Sequence, residues 1–417
     1  MIEELISMTE FDYKTCTGCS LLCEDILFPD EDSISHAKNL CRKGLAHYQA
    51  LFVERTGPLM EGKEASIDQA IEKGAEILRN ASAPVIYGWS NCTLEAQMAG
   101  LALAEKIGAF VDDPSSHCEG RLMEMLLSGR IPSCTLDDVR HFADTAIFWG
   151  SDPSSTQPRH LSRFSYFPRG SKRQKSYEEE RTCIVVDVRE SSTAKLCPTT
   201  TYRVPPGEDL QFLEALLAVL DGKIPKFGDK KRMIELGSII KKTEYGVIFP
   251  GPGMLISLQD KMDRFEDLLR RLNEITTFKV LPVTEQYNSR GFGQLLFERT
   301  GRTKAVKFSP SGEAAAGPNL VEAAKEADAI LVLGADPLLD LPAGLARAFA
   351  AAPLIVIDPR RSLTADLAQV VIPAAISGLE AGGTALRTDG VKISFEPLMK
   401  SEQPTDEQIL TRIMEAI

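Results

Sequence analysis

The chain reads as α/β: a small N-terminal cysteine-bearing domain followed by two pseudo-symmetric doubly wound parallel-sheet domains around a ligand cleft. Three observations predict this. Short β-branched runs alternate with amphipathic helical stretches, the pattern of parallel α/β layers. A pair of strand motifs occurs twice in the same order. Four of the nine cysteines crowd into residues 16 to 41.

Composition bounds the rest. The 417 residues, 43% apolar and 25% charged, suffice for two or three domains with substantial cores. A net charge of −12 argues against general nucleic-acid binding, which needs a basic face. The sequence lacks an apolar run long enough for a membrane span and a basic-then-apolar leader, so a cytoplasmic location is expected.

Taken in order, "CTGCSLLCEDI" and "NLCRKGLAH" place Cys16, Cys19, Cys23 and Cys41 in a Cys-x2-Cys-x3-Cys-x17-Cys pattern. Four thiolates can supply one ligand to each iron of a cubane cluster. A four-cysteine zinc site is the alternative, but three ligands in one tight loop differ from the paired hairpins such sites use. Lys43 and Arg42 would lie beside such a cluster, where a cation eases the addition of an electron.

"APVIYGWSN" (83–91) predicts a strand and turn, and "TLEAQMAGLALAEKIG" (93–108) the helix after it. In "DPSSHCEGRLMEML" (113–126), Ser116 and Glu119 suggest a capping box. Cys118 then takes the second helical position, where the helix dipole favours a thiolate. Buried hydrophobe, nucleophile and metal ligand are the three readings of that cysteine.

The repeat comes next. "ADTAIFWGSDP" (143–153) aligns with "ADAILVLGADP" (327–337), and "CIVVDVRESSTA" (183–194) with "LIVIDPRRSLTA" (354–365). Gly150 and Asp152 thus match Gly334 and Asp336, and Asp187, Arg189 and Thr193 match Asp358, Arg360 and Thr364. Open α/β sheets bind ligands at the carboxyl ends of strands, and glycine turns there suit phosphates. Two copies imply two similar ligand halves. "FPGPG", with Gly251 and Gly253, is a further glycine turn after an apolar strand. The polar excursion "FPRGSKRQKSYEEER" (167–181) predicts a solvated loop. Cys183 begins a strand and is expected in the core, and Cys92, Cys134 and Cys197 have no partner spacing and are expected to be inert.

Together with "CPTTTYRVPPGEDLQFLEALL" (197–217) and "GLEAGGTALRTDG" (378–390), the cysteine motif and the duplicated strands resemble the molybdopterin oxidoreductase superfamily. Within it, "SSHCEGR" and "YNSRGFGQ" are similar to the B subunits of formylmethanofuran dehydrogenases. The resemblance implies a [4Fe-4S] domain over 1–58 and a discontinuous pterin-binding domain over 59–112 and 291–377. A second pterin-binding domain would span 113–290, and 378–417 would return to the cluster domain. It implies two molybdopterin guanine dinucleotides, with tungsten or molybdenum ligated by Cys118. Lys43 would stand between cluster and pterin, and the repeat residues, Gly251, Gly253, Gly383 and Thr384 would contact the pterins. Arg290 would handle a carboxylate and His117 relay a proton.

The implied activity is catalytic reduction of CO2 to formate. The implied partners are a separate small pterin-binding barrel subunit, an amidohydrolase-like subunit that condenses formate with methanofuran, and ferredoxin-type electron-transfer subunits. One departure stands out: formate-type sites carry histidine after the ligating cysteine, and here Glu119 occupies that place. The competing expectations are a formate dehydrogenase-type subunit, an electron-transfer subunit without pterin, and a catalytically silent scaffold homologue in a formyltransferase/hydrolase complex.

Overall fold

The computed structural model describes residues 13–28, 34–50, 55–175, 177, 180–197 and 200–417; the side chains of His117 and Cys118 lie outside what is described. Two sheets organise the chain. The first has strand order Thr277–Val280, Tyr245–Pro250, Thr145–Trp149, Thr182–Asp187, Thr201–Arg203, and every pairing is parallel. The second has five parallel strands at its centre: Phe110–Asp112, Pro84–Gly88, Ala329–Leu333, Leu354–Ile357 and Val370–Ile372. Antiparallel pairs close both its edges, Val306–Phe308 with Ala314–Ala316 on one side and Leu59–Met60 with Lys63–Glu64 on the other. The fold class is thus mixed α/β with parallel sheets.

The local reasons are visible in the sequence. Strands with helices on both faces are almost wholly apolar, and Thr145–Trp149 and Ala329–Leu333 are buried at every position. Helix Leu94–Ile107 begins at Thr93, whose side chain accepts from the Ala96 amide, and stops at Gly108 in the left-handed conformation. Trp89 stacks on Phe292 at 5.0 Å between ring centroids beneath that helix. A Cβ at Gly100 would sit 2.5 Å from the Trp89 ring, so glycine there lets the helix approach. In the other core, Trp149 Nε1 donates to buried Asp209 at 2.7 Å, which satisfies both groups.

The C-terminal stretch divides in two. Hairpin Gly383–Leu386 with Lys392–Phe395 leads into a loop whose Thr388 amide donates to the Ser20 carbonyl in the cysteine loop, at 3.0 Å. Helix Asp406–Ala416 instead packs on helices Leu94–Ile107 and Ile67–Asn80 of the larger sheet. Among the described residues no helix is long and apolar enough to cross a membrane.

Candidate functional site

Cys16, Cys19, Cys23 and Cys41 converge on one small cavity, shared with Leu40, Gly44 and Arg159. The Cys16 amide donates to the Cys23 carbonyl at 2.9 Å, closing the loop that carries the first three thiols. Cys41 caps helix Arg42–Gln49, and its sulfur accepts from the Gly44 amide. A second sulfur, that of Cys16, accepts from the Gly18 amide. Glycine is needed at 44, because a Cβ there would lie 3.0 Å from Cys16 Sγ and 2.6 Å from Leu40 Cδ1. Burial and the neighbouring thiols raise Cys16 and push Cys19 up to about 12. Burial raises Cys23 too, opposed by the nearby Arg163 and Arg159 guanidiniums. Among the described residues no three His, Cys, Asp or Glu side chains are grouped as ligands of a single metal ion. Lys43 donates to Glu285 at 2.7 Å and the Thr156 carbonyl at 3.3 Å, and its charge favours the ionised form of Cys19.

Helix Ser116–Leu127 carries Cys118. Its start differs from the capping box read in the sequence. Ser115 is the cap residue and makes no capping bond, so Cys118 is the third helical residue rather than the second. Two consecutive aspartates compete for the serines and win: Ser116 Oγ donates to Asp112 at 2.6 Å and Ser115 Oγ to Asp113 at 2.5 Å. Ser90 adds its hydroxyl and amide to Asp113, yet burial still pushes that carboxyl up to about 7. Glu119 is no cap partner either. It is buried with Oε2 unpartnered, and burial, Asp113 and Glu285 hold it well above the ordinary carboxylate range.

The two repeat copies are congruent in detail. Gly150 and Gly334 turn with φ of +62° and +55°. The Gly150 amide donates to Val186 O at 2.7 Å and the Gly334 amide to Ile357 O at 3.0 Å, equivalent residues of the second strand in each copy. Asp152 accepts from the Thr193 amide and hydroxyl at 3.0 and 2.7 Å, and Asp336 from those of Thr364 at 3.0 and 2.5 Å. Asp187 accepts from the Arg189 amide and Asp358 from the Arg360 amide. These polar residues therefore bind one another, pinning the end of one strand to the helix that follows the neighbouring strand.

Around each turn the structure assembles a different cleft. Gly150, Asp152, Asp187, Arg189 and Gly253 share a cleft of about 380 Å³ with Ser115, Glu119 and Glu285. The "FPGPG" turn packs directly on the Gly150 turn, since a Cβ at Gly251 would meet Gly150 O at 2.5 Å. Gly334, Asp358 and Arg360 line a second cavity of about 140 Å³ with His47, Asn91 and Asp406. There Arg360 reaches the His47 carbonyl and ring at 3.3 Å. Burial, Arg360 and Lys43 lower His47 to about 3, and its Nε2 meets Thr17 Oγ1 at 3.0 Å.

The remaining predicted residues lie apart from these turns. Thr384 donates its amide and hydroxyl to Glu95 at 3.0 and 2.5 Å. Gly383 lets that strand approach Thr93, where a Cβ would come within 2.7 Å. Arg290 is mostly buried; Nη1 contacts Met123 Sδ at 3.2 Å, Nε has no acceptor, and burial lowers its pKa. Sequence reasoning missed Arg159, Arg163 and Asp25 beside the thiols, and His47 between the cysteine loop and the second cavity. The i, i+4 spacing of Arg159 and Arg163 was the one available signal.

No protein-family model matches the chain. It is 35% identical over 407 residues to the B subunit of tungsten-containing formylmethanofuran dehydrogenase 2 from Methanocaldococcus jannaschii, covering 92% of each chain. It is 31% identical to the protein of that name from Methanococcus maripaludis, covering 98% of this chain and 99% of the relative. The B subunit of the Fhc formyltransferase/hydrolase complex of Methylorubrum extorquens is 25% identical over 368 residues, covering 86% of this chain and 97% of the relative. A chain in the crystal structure of that organism's formyltransferase/hydrolase complex has the same fold, with TM-score 0.68 and 24% identity, over 86% of this chain and 98% of that one.

These likenesses correct the expectation that the chain is itself the catalytic, CO2-reducing tungsten or molybdenum subunit. Its fold is also that of a subunit in a formyltransferase/hydrolase complex, so the alternative of a scaffold homologue is the better supported. In the repeat, Asp152 and Asp336 hydrogen-bond Thr193 and Thr364, contacts that help to hold the fold. At 35% identity over 92% of its length to the Methanocaldococcus jannaschii B subunit, the chain belongs to the family of formylmethanofuran dehydrogenase B subunits.

Proposed function

We propose that the chain is an organising subunit of a multisubunit complex that handles one-carbon formyl groups, with a [4Fe-4S] cluster as structural and electron-carrying cofactor. What supports the organising role is likeness over 86% or more of the chain to B subunits of two differently named complexes, a formylmethanofuran dehydrogenase and a formyltransferase/hydrolase. Fold and assembly are what such subunits have in common. What supports the cluster is the arrangement of four thiols around one cavity, with backbone amides directed at two of the sulfurs. Cys16, Cys19, Cys23 and Cys41 would hold it, and when bound it takes up or releases one electron. Four buried cysteines whose ionisation burial and one another disfavour have a reason to converge if a cationic iron core binds them as thiolates and offsets that charge.

The test is purification of the complex with and without this subunit, with iron, tungsten, molybdenum and pterin measured in each. The expected result is about four iron atoms per chain and loss of assembly when the subunit is omitted. Assembly and activity unchanged without the subunit would refute the organising role. Stoichiometric tungsten or molybdenum in this subunit, with CO2/formate turnover abolished by Cys118→Ser, would replace it by a catalytic one.

A further inference from the structure

We infer that Arg159, Arg163 and Asp25 form a charge clamp on the Cys23 corner of the four-thiol centre and set the reduction potential of the group held there. The inference rests on that centre holding an iron–sulfur cluster.

The three residues come from two segments. Asp25 follows Cys23 by two residues, just before strand Ile26–Leu27. Arg159 and Arg163 are one helical turn apart, the Arg163 amide donating to the Arg159 carbonyl at 2.8 Å, so their side chains leave on the same face. The backbone there widens into a π turn over Leu161–Ser165, with Phe164 buried beneath it. Arg163 also stands 5.1 Å from the Phe164 ring centroid.

Asp25 binds both guanidiniums. Arg159 meets its two carboxylate oxygens at 2.6 Å each, a bidentate pair, and Arg163 meets Oδ1 at 2.8 Å. The Arg163 and Arg159 guanidiniums also lie near enough to the Cys23 sulfur for their charge to oppose the rise that burial imposes on it. Arg159 itself lines the thiol cavity. Two cations and one anion therefore bear on one sulfur, a net positive corner. On the far side Lys43 acts on Cys19, held in turn by Glu285.

Hydrogen bonds to sulfur and local net charge are the protein's levers on cluster potential. An added electron makes the cluster more negative, so a neighbouring cation favours the reduced form. Loss of Arg159 or Arg163 lowers the potential. Loss of Asp25 raises it, because the two cations then act unopposed. Opposite signs from residues in one ion-pair cluster are what a merely structural role would not produce.

The experiment uses the anaerobically purified complex, with iron and acid-labile sulfide assayed per chain and the cluster followed by EPR during mediated redox titration. Arg159→Gln and Arg163→Gln should each lower the reduced-to-oxidised ratio at fixed potential about tenfold, equivalent to about 59 mV for one electron. Asp25→Asn should shift it the opposite way, and Arg159→Lys should stay near wild type. If a glutamine variant loses iron, the lysine replacement at that position and Asp25→Asn carry the test. Unchanged potentials, or shifts of one sign in all variants, would overturn the clamp while leaving the cluster in place. Absence of iron and labile sulfide from the wild-type complex would overturn the four-thiol reading itself, and the clamp with it.

Discussion

Replacing Asp152 with alanine separates a strand-pinning aspartate from one kept for a ligand. Its carboxylate receives the Thr193 amide at 3.0 Å, the Thr193 hydroxyl at 2.7 Å and the Ser155 hydroxyl at 2.8 Å. Thr193 is fully buried, so its two donors would lose their acceptor where water reaches poorly. At about 1–1.5 kcal/mol for each buried donor stranded, and little for half-exposed Ser155, the loss is about 3 kcal/mol. Urea unfolding should show a lower midpoint at unchanged slope. Asp336→Ala removes the equivalent bonds from Thr364 and should cost the same within about 1 kcal/mol. The pH dependence has a definite sign. Burial would raise the Asp152 pKa, but the Thr193 and Ser155 hydrogen bonds hold it below 3.8. Its contribution is therefore present above about pH 4 and lost as acid carries the pH through the lower folded value. Wild-type midpoints in both variants would refute the pinning argument and return these aspartates to a ligand-binding role.

Three further outcomes are expected. Gly150→Ala forces a side chain into a left-handed turn and puts its Cβ 2.2 Å from the Met254 amide nitrogen. It should cost about 3 kcal/mol or more, read from the urea midpoint, whereas Gly129→Ala, also at positive φ but in open space, should cost about 1 kcal/mol. Asp406 is raised to about 7 by burial and by Asp358, so it destabilises the fold progressively as pH rises from about 4 through 7. Asp406→Asn should accordingly gain stability relative to wild type at pH 8, and the gain should vanish at pH 4 in parallel melts. Arg290→Met removes a mostly buried guanidinium whose Nε lacks an acceptor, and should leave stability unchanged or raise it by up to about 2 kcal/mol. A loss of more than about 2 kcal/mol would show that Arg290 holds the fold.

Much of the architecture was legible along the chain because its causes are local. The mostly apolar strands, the Thr93-to-Gly108 limits of one helix and the duplicated Gly-x-Asp-Pro segments all report backbone preference and burial, which residues carry in their own chemistry. The cysteine spacing likewise marked four thiols that the structure brings to one cavity. The start of helix Ser116–Leu127 departs from the expected capping box because a cap is only one use for a serine. Asp112 and Asp113, at the end of the strand that leads directly into this helix, offer Ser116 and Ser115 better-placed acceptors.

What the sequence by itself determined, then, is the α/β layering, the internal duplication, the convergence of four thiols and the family. Tertiary structure alone decided how the polar residues are spent. Asp152 and Asp336 stand at strand ends where a ligand-binding aspartate would also stand, and nothing in their sequence context says that Thr193 and Thr364 occupy them. Asp25 and Arg159 lie 134 positions apart, yet meet over Cys23. Hydrogen-bond partners far apart in sequence are chosen by the packing of whole elements, and that choice becomes readable only when the elements are assembled.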